Sequence, residues 1–494
     1  MLFLVPCVAW AMASPVHSVP DEPDQVRRAA SLWDGQILGS RVASQPSVVR
    51  SIDVDGRWNG DVIPCFAFHP DTLPADCPPA FPADRSRVST TTYDGAFPPS
   101  FYALVGWPTQ LQAGRRGFYG MRLVAAALSA ALLASALLAL DRVLPRALAV
   151  FGVAAATTPM VFFLAGSVNP SGLEISAAVA LWAHVLAISS WPSHRPSLRL
   201  PTSLIVGLAA SGGLLTLSRF LSPGFAFLIG VLALTAATGT WSTLRSLLRD
   251  RRLLVAVAVV GICAVGGLAL TLSTGALQGL SGGVPHGVDN PWLATLGLSS
   301  DFLRQMLGWF GWLDTPTSPV TEIGWLLVIG ALLGVATVVG KGRTVLALLA
   351  TILLTVVVPV LIQAPRLLQY GLTWQGRHGL PLAVGVPLLA VFAAGQRVTT
   401  QTGNGLRRLA IAGVSVIAVV QVHALWWALH RYVVGLHSRL LGLTGGRWQP
   451  PAGSLFWLAI MTVFGVALVA FVVCSPTPEP SCTDKTLVEP SDGG

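Results

Sequence analysis

Three carboxylates stand close together near the start of the chain, where an apolar segment gives way to polar sequence. Asp21, Glu22 and Asp24 fall within four residues, soon after the apolar run that ends at Ala13. A carboxylate at a membrane boundary that faces a cavity has its pKa raised by desolvation, and it can then act as a general base toward a hydroxyl group. These residues therefore suggest a catalytic role for Asp21 or Glu22, with Asp24 as a further site candidate.

Helix capping is an equally ordinary explanation of the same residues. Ser18 can cap a helix and Pro20 suits its first turn. Asp21 and Glu22 suit the positive end of such a helix, which would continue through Trp33. The residue types alone leave both explanations open.

A second polar motif, Asn169-Pro170-Ser171-Gly172-Leu173-Glu174, precedes a long apolar run on the predicted outer face. Ser171 and Glu174 have the spacing of a capping box, which explains both residues without any function. The N-terminus of a helix is also an anion site. Asn169 and Ser171 are therefore candidates for binding a phosphate group.

Guanidinium groups recur at the predicted outer ends of later helices. Arg219, Arg377 and Arg431 fall on the same side as the carboxylates, and Arg matches phosphate in a bidentate geometry. An Arg near a helix end is also an ordinary interfacial anchor. The functional hypothesis is that these three arginines surround a lipid phosphate, and the neighbouring candidates for the same site are His378, Trp374 and Asp314.

Two of the six cysteines share one polar segment. Cys65 and Cys77 can close a short disulfide loop if that segment faces an oxidising compartment. No CxxC pair or Cys/His cluster indicates a zinc site. We therefore predict no metal site and no cofactor, although a divalent metal is compatible with the proposed chemistry.

The elements that must position these residues are membrane helices. Of 494 residues, 53% are hydrophobic and only 11% are charged, which is too little charge for an ordinary soluble surface. The net charge of +9 comes mainly from arginines scattered between apolar runs. Such scattering favours contact with the lipid bilayer at its inner leaflet and argues against a nucleic-acid partner.

We predict an all-α membrane protein with about 12 transmembrane helices, within a range of about 11 to 13, because a span needs ~20 mostly apolar residues. The first, at residues 1–13, is short or lacks its true start. Its Ala11-Met12-Ala13 also resembles a signal-peptide cleavage site, but the positive residues that should precede such a signal are missing. The other spans are expected at residues 121–140, 146–166, 173–191, 201–217, 220–238, 253–273, 323–339, 344–363, 380–394, 409–429 and 454–473.

Positive residues in the short connections predict the orientation. The connections after residues 140, 191, 238, 339 and 394 hold more Lys and Arg than the opposite connections do, so that side should be cytoplasmic. Both termini then lie in the cytoplasm. The expected divisions are an extracytoplasmic subdomain at 14–118, a multi-helix domain at 119–474 with an external loop at 274–322, and a disordered cytoplasmic tail at 475–494.

The predicted spans carry no Asp, Glu, Lys or Arg in their middle thirds. A charge at that depth would cost ~2.5 to 3.5 kcal/mol even on lenient insertion scales. Ion-coupled transporters usually keep charged or broken-helix sites near the midplane. The sequence therefore argues against transport and favours a site at the outer membrane interface.

A set of spaced motifs runs through nearly the whole chain. They are Pro20-Asp21-Glu22-Pro23 with Arg27-Arg28-Ala29, the segment from Cys65 to Cys77, Phe97-Pro98-Pro99-Ser100-Phe101-Tyr102, Asn169-Pro170-Ser171-Gly172, Gly311-Trp312-Leu313-Asp314-Thr315 and Gln375-Gly376-Arg377. Together they resemble the bacterial multi-pass family called domain of unknown function 2142. That family looks like part of the GT-C group of membrane glycosyltransferases, which place an acidic pair in the first external loop.

The resemblance implies a GT-C-like fold and transfer of a sugar from a polyprenyl-phosphate donor to a glycan or glycolipid acceptor of the cell envelope. Asp21 and Glu22 stand where the group has its acidic pair, one of which acts as the base. The chain departs from the family at Gln25, where a His is frequent, and at His378, where an aromatic residue is frequent. We therefore expect a plasma-membrane glycosyltransferase with an extracytoplasmic active site. The alternatives are a non-catalytic carrier or flippase for lipid-linked sugars, or an envelope-assembly protein.

Overall fold

Apolar runs inside a bilayer fold as helices because every backbone N–H and C=O must find a partner within the chain. The computed structural model describes residues 2–46, 48–194, 199–238, 241–275, 287–396, 400–439, 441–444 and 446–475. Residues 476–494 of the predicted tail and part of the predicted loop at 274–322 lie outside the described residues. Within the described ranges, helices dominate the chain.

The helices follow the apolar runs of the sequence closely, with most ends displaced by only a few residues. In chain order they are α1 Leu4–Ala13, α2 Glu22–Trp33, α3 Ser100–Val105, α4 Pro108–Leu111, α5 Arg115–Leu140, α6 Arg146–Ala156, α7 Pro159–Ala165, α8 Pro170–His194, α9 Thr202–Thr216, α10 Ser222–Ala237, α11 Trp241–Leu247, α12 Arg251–Thr274, α13 Pro291–Gly297, α14 Ser299–Gly308, α15 Pro319–Val339, α16 Gly342–Tyr370, α17 Leu380–Ala383, α18 Gly385–Gly395, α19 Thr400–Val433 and α20 Ser454–Val473. Short 3-10 turns form at Gly56–Trp58, Pro74–Asp76 and Gly376–His378.

Seven of the helices in the described ranges are long and apolar enough to cross a membrane. The pair α6 and α7, bent by 72° at a short break, would make an eighth span. Helices α1, α9 and α10 and the segment Leu380–Gly395 are apolar but shorter. The predicted multi-pass helical membrane fold is therefore confirmed, while the count of about twelve spans stays a prediction.

Helix α8 forms the centre of the membrane domain. It is buried along its apolar length, because α5, α9 and α10 pack around it. A helix that is apolar on every side is either buried inside the protein or in contact with lipid, and α8 is of the first kind. The peripheral helices α12, α15 and α16 instead leave large apolar side chains exposed, among them Ile262, Val338 and Leu346, as expected of surfaces that face lipid.

The segment at residues 14–118 contains a small sheet that the all-α prediction lacks. Strands β1 Ser40–Arg41, β2 Arg50–Asp55 and β3 Arg87–Thr92 pair antiparallel in that order. In β2, Ile52 and Val54 are buried while Asp53 is exposed, which is the alternation expected of a half-buried strand. The sheet packs against α2, so it supports the helix that follows the acidic motif.

Helix α2 confirms the predicted helix through Trp33 but not its predicted cap. The helix begins at Glu22, its early proline is Pro23, and no side chain caps it. Ser18 and Pro20 therefore lie outside the helix, in the turn that precedes it. Asp21 has a φ of +66°, a left-handed conformation that is strained for a non-glycine residue.

Arg122 of α5 anchors the turn between α1 and α2. Its guanidinium donates to both carboxylate oxygens of Glu22, at 2.9 and 2.6 Å. The remaining donors bind the carbonyl oxygens of Ala11, Ser14 and Pro15. Both ionised side chains are completely buried, and a buried ion pair is favourable only when such additional hydrogen bonds satisfy it. The pair therefore fixes the path of the chain toward Asp21.

We predict that Arg122→Met markedly lowers the thermal unfolding midpoint of the detergent-solubilised protein. Removing one partner of a buried ion pair typically costs about 3–5 kcal/mol, because the other charge is left uncompensated. Arg116→Met is the matched control, since Arg116 lies in the first turn of the same helix and is exposed. Equal midpoints for the two variants would contradict the anchoring role of Arg122.

Candidate functional site

The turn before α2 brings Asp21 to Arg377, which is 356 residues away in the chain. Arg377 Nη2 donates to Asp21 Oδ2, and Nη1 donates to the carbonyl oxygen of Pro20 at 3.4 Å. The Arg377 side chain is 6% exposed whereas that of Asp21 is 47% exposed. The Asp21 carboxylate is therefore accessible, while the Arg377 guanidinium that binds it is buried.

Arg377 is positioned by two buried or partly buried amides. Gln305 Oε1 accepts a hydrogen bond from the backbone N–H of Gly376 at 2.7 Å. Gln363 Oε1, inside α16, accepts from the N–H groups of Thr373 and Trp374. Gly376 must be glycine, because a Cβ there would lie 2.3 Å from a backbone oxygen of α14. The 3-10 turn that carries Arg377 is thus held from α14 and α16.

Arg219 reaches the same region through the Asn169–Ser171 motif. Its Nη1 donates to Ser171 Oγ at 2.5 Å. Asn169 Nδ2 donates to the Pro20 carbonyl oxygen at 3.1 Å, and its Oδ1 accepts from the Ser171 N–H at 3.0 Å. The motif at the start of α8 therefore links the turn before Asp21 to Arg219.

The predicted capping box at the start of α8 is wrong. Asn169, rather than Glu174, accepts the hydrogen bond near the helix start. Glu174 Oε1 instead accepts from Ser222 Oγ of α10 at 2.6 Å. Because α8 is enclosed by other helices, Glu174 is turned toward a tertiary partner and becomes a buried neighbour of Arg219.

Asp94 joins the site although the sequence did not single it out. It is 5% exposed, and burial raises the pKa of its carboxyl well above the ordinary value, with a further increase from Asp21 and Asp24. Arg219 and Arg377 act in the opposite direction. Asp94-Gly95 is an ordinary turn dipeptide, so the sequence pattern gave no signal that this carboxyl is buried.

Asp24 completes a group of three neighbouring carboxyls with Asp21 and Asp94. It is 4% exposed, and burial raises its pKa to about 7, with Arg27 opposing and Asp21 adding to the shift. At neutral pH, Asp24 is therefore only partly ionised. Within the described ranges, no group of three or more His, Cys, Asp or Glu side chains is arranged to hold a metal ion.

Polar atoms without hydrogen-bond partners gather around these charges. Buried polar atoms are nearly always partnered, by protein or by water, and exceptions require an explanation. In the part of the chain that the structure describes, the atoms without such a partner include Asp24 Oδ1, Asp94 Oδ2, Glu174 Oε2, Arg377 Nε and His378 Nε2. These five atoms are therefore candidates for hydrogen bonds to a polar ligand.

Trp374 and His378, the two site candidates that carry rings, lie close to Arg377 in the chain. The rings of Trp374 and His378 are 5.5 Å apart between centroids, and His378 Nδ1 accepts from the Gln375 N–H at 3.3 Å. Burial, together with the charges of Arg219 and Arg377, holds the pKa of His378 well below its usual range. His378 is therefore a neutral imidazole next to two guanidinium groups.

Glu22, Arg431 and Asp314 are not brought to this cluster. Glu22 is enclosed by Arg122 and also accepts from the Val168 N–H at 3.0 Å. Arg431 is completely buried and binds Asp314 Oδ2 at 3.0 Å. Its other acceptors are the carbonyl oxygens of Phe66, His69 and Thr72. Arg431 therefore ties the segment at residues 14–118, in which Cys65 and Cys77 form a disulfide, to α19.

An apolar groove of about 450 Å³ begins beside the cluster and lies among α6, α14, α15, α16, α17 and α18. Met306 and Leu307 of α14 line it, and the preceding residue, Gln305, lines a small cavity together with Pro20 and Arg377. Helix α14 thus contributes residues both to the apolar groove and to the small cavity at Arg377.

The fold and the site together define a multi-pass membrane protein with a buried charged cluster at one end of its helices. Residues 3–386 match the family described as "Predicted membrane protein (DUF2142)". The chain belongs to this family, as its motifs implied. A comparison with curated proteins finds no match.

Two solved structures are similar to the chain. The crystal structure of ArnT from Cupriavidus metallidurans in the apo state has 15% sequence identity and a TM-score of 0.46, over 96% of this chain and 75% of that one. The structure of ArnT from the same organism bound to undecaprenyl phosphate has 15% identity and a TM-score of 0.44, over 96% of this chain and 76% of that one.

We predict that stability falls as pH rises through about 7, and that Asp24→Asn reduces this fall. The folded-state pKa of Asp24 lies above its ordinary value of 3.8. The stabilisation that comes from the protonated Asp24 carboxyl is therefore complete below pH 3.8 and is lost as the pH rises through about 7. The readout is the unfolding midpoint between about pH 5 and 8, with the exposed carboxyl variant Asp53→Asn as control.

His17 also contributes to the pH dependence of stability, but its contribution is the same in the wild type and in each variant and cancels in the comparison. Burial lowers the pKa of His17 to about 3, and stability from this source therefore rises with pH. Identical pH profiles for the wild type and Asp24→Asn would contradict the burial of an ionisable Asp24 carboxyl in the folded protein.

Proposed function

We propose that the protein is a glycosyltransferase of the plasma membrane that moves a sugar from a polyprenyl-phosphate donor to a glycan or glycolipid acceptor on the extracytoplasmic side. The observation that carries this proposal is the half-exposed Asp21 carboxylate backed by the buried Arg377, with Arg219 beside them. The spaced motifs that resemble the GT-C group support the reaction class. Membership of a membrane-protein family supports the location.

Asp21 is the base in this proposal, rather than Glu22. Both oxygens of Glu22 bind Arg122 in a fully buried pair, so Glu22 cannot meet an acceptor hydroxyl without breaking the fold. Asp21 is accessible, and its left-handed backbone is of the kind that concentrates at active sites. Its carboxylate takes the hydroxyl proton as the acceptor oxygen attacks the anomeric carbon and the bond to the phosphate oxygen breaks, with inversion.

Arg219 and Arg377 stabilise the departing phosphate. Negative charge grows on that group as the sugar leaves, and preorganised donors in a partly dry site are most effective at such a moment. Arg377 Nε and His378 Nε2 have no hydrogen-bond partner in the described ranges, so both can serve the ligand. The raised pKa values of Asp24 and Asp94 limit the repulsion between these carboxyls and an entering phosphate.

The apolar groove is the proposed binding site of the isoprenoid chain. Its lining is largely aliphatic, with Arg304 and Glu322 as its charged members, 3.5 Å apart. A prenyl chain gains by burial in such a lining. The groove lies next to the small cavity at Arg377 along α14, so a lipid in the groove would have its phosphate at the charged cluster.

We predict that Asp21→Asn fails to restore the cell-envelope glycans of a deletion strain, while Asp34→Asn restores them. Loss of a general base typically lowers the rate about 10²- to 10⁴-fold. Asp34 is the control because it is an exposed carboxyl at the end of the same helix. Both variants must first insert at wild-type levels. If the Asp21→Asn strain makes wild-type glycans, Asp21 is not the catalytic base, and a non-catalytic carrier is favoured.

We also predict that Arg219→Gln and Arg377→Gln weaken binding of a polyprenyl phosphate. Each removes a charged hydrogen bond, which corresponds to a loss of about tenfold or more in affinity. Binding can be followed by native mass spectrometry of the purified protein, with the exposed Arg439→Gln as control. The phosphate-binding role is contradicted if all three variants bind the lipid as the wild type does.

A further inference from the structure

A second cavity, apart from the charged cluster, lies where the segment at residues 14–118 meets residues 447–451. Its volume is about 570 Å³, within the ~300–1,000 Å³ typical of small-molecule sites. Its walls come from five separate parts of the chain: residues 15–17, 61–66, 74–80, 115–119 and 447–451. Asp21, Arg219 and Arg377 do not line it. The cavity is therefore a candidate site that the transfer chemistry does not use.

The walls of this cavity are rigid. Seven of the lining residues are prolines, whose fixed φ limits the freedom of the backbone. Cys65 and Cys77 both line the cavity and are joined by a disulfide, and Arg447 pairs with Asp76 beside it. A site with preformed walls loses little conformational entropy when it binds a ligand.

The lining combines aromatic faces with hydrogen-bonding groups of both kinds. Tyr119 and Trp448 contribute aromatic rings, Arg115 can donate and Asp61 can accept. A saccharide ring has an apolar C–H face and a rim of hydroxyls that donate and accept. A prenyl chain would require an apolar lining, which these charged side chains do not provide. The set of residues therefore matches a saccharide.

His17 provides an independent indication of a ligand. It lines the cavity, is 6% exposed, and its buried Nε2 has no hydrogen-bond partner in the described part of the chain. Its φ of +61° is a strained conformation of the kind found at binding sites. Because burial lowers the pKa of His17 to about 3, the imidazole is neutral and suits a hydroxyl group better than an anion.

We propose that this cavity binds a saccharide and holds the glycan chain of the acceptor at a distance from the reacting hydroxyl. Saccharide binding stands on the cavity alone, while the identity of that saccharide as the acceptor rests on the proposed function. His17 is four residues before Asp21, in the segment that Arg122 fixes. A glycan in the cavity would thus be held by the same turn that carries the base.

The test uses the full-length protein in nanodiscs, applied to an array of neutral and acidic bacterial surface glycans. We expect the wild type to bind a subset of the glycans and Trp448→Ala to bind them about tenfold more weakly, through loss of an aromatic contact. Arg115→Gln should weaken the same signals. The matched controls are Trp107→Ala, an exposed tryptophan elsewhere, and Arg116→Gln, the exposed neighbour of Arg115 that does not line the cavity.

Absence of wild-type binding to every glycan would overturn the proposal, and so would equal losses in the cavity variants and their controls. Binding that inorganic phosphate abolishes would replace the saccharide with an anion. Asp21→Asn keeps array binding because Asp21 does not line the cavity. Failure of the transfer proposal and failure of this one are therefore distinguishable. Wild-type binding that Asp21→Asn abolishes would place the saccharide at the charged cluster and overturn the cavity assignment.

Discussion

The structure depends on one buried guanidinium. Arg122 donates five hydrogen bonds, to two carboxylate oxygens of Glu22 and to three carbonyl oxygens of the turn after α1. A charge removed from water in this way is tolerated only when all of its donors are satisfied. That requirement fixes the turn after α1. The same turn places Asp21 next to Arg377 and His17 in the wall of the second cavity.

Burial changes the charge balance of the cluster around Arg219 and Arg377. Asp21, Asp24 and Asp94 surround Arg219 and Arg377, yet burial raises the pKa of both Asp24 and Asp94. A carboxyl whose pKa is raised carries less negative charge at a given pH and therefore repels a phosphate less. This arrangement is the basis for the proposal that the cluster binds the phosphate of a polyprenyl donor.

The sequence predicted the helices well because lipid leaves the backbone few alternatives, and apolar length is visible in the chain. It also selected Asp21, Arg219 and Arg377, which the structure brings together. It could not separate Arg431 from them, since an Arg at a helix end has the same pattern whether it binds phosphate or, as here, backbone carbonyl oxygens. Asp94 was missed because its burial depends on tertiary packing that a turn dipeptide does not reveal.

The most direct test of the central claim is a cryo-electron microscopy structure of the Asp21→Asn protein in nanodiscs with a polyprenyl-phosphate sugar. We expect density for the phosphate between Arg219 and Arg377, with the isoprenoid chain along the groove beside Met306 and Leu307. Density that places the phosphate elsewhere, with both arginines free of ligand, would contradict the account.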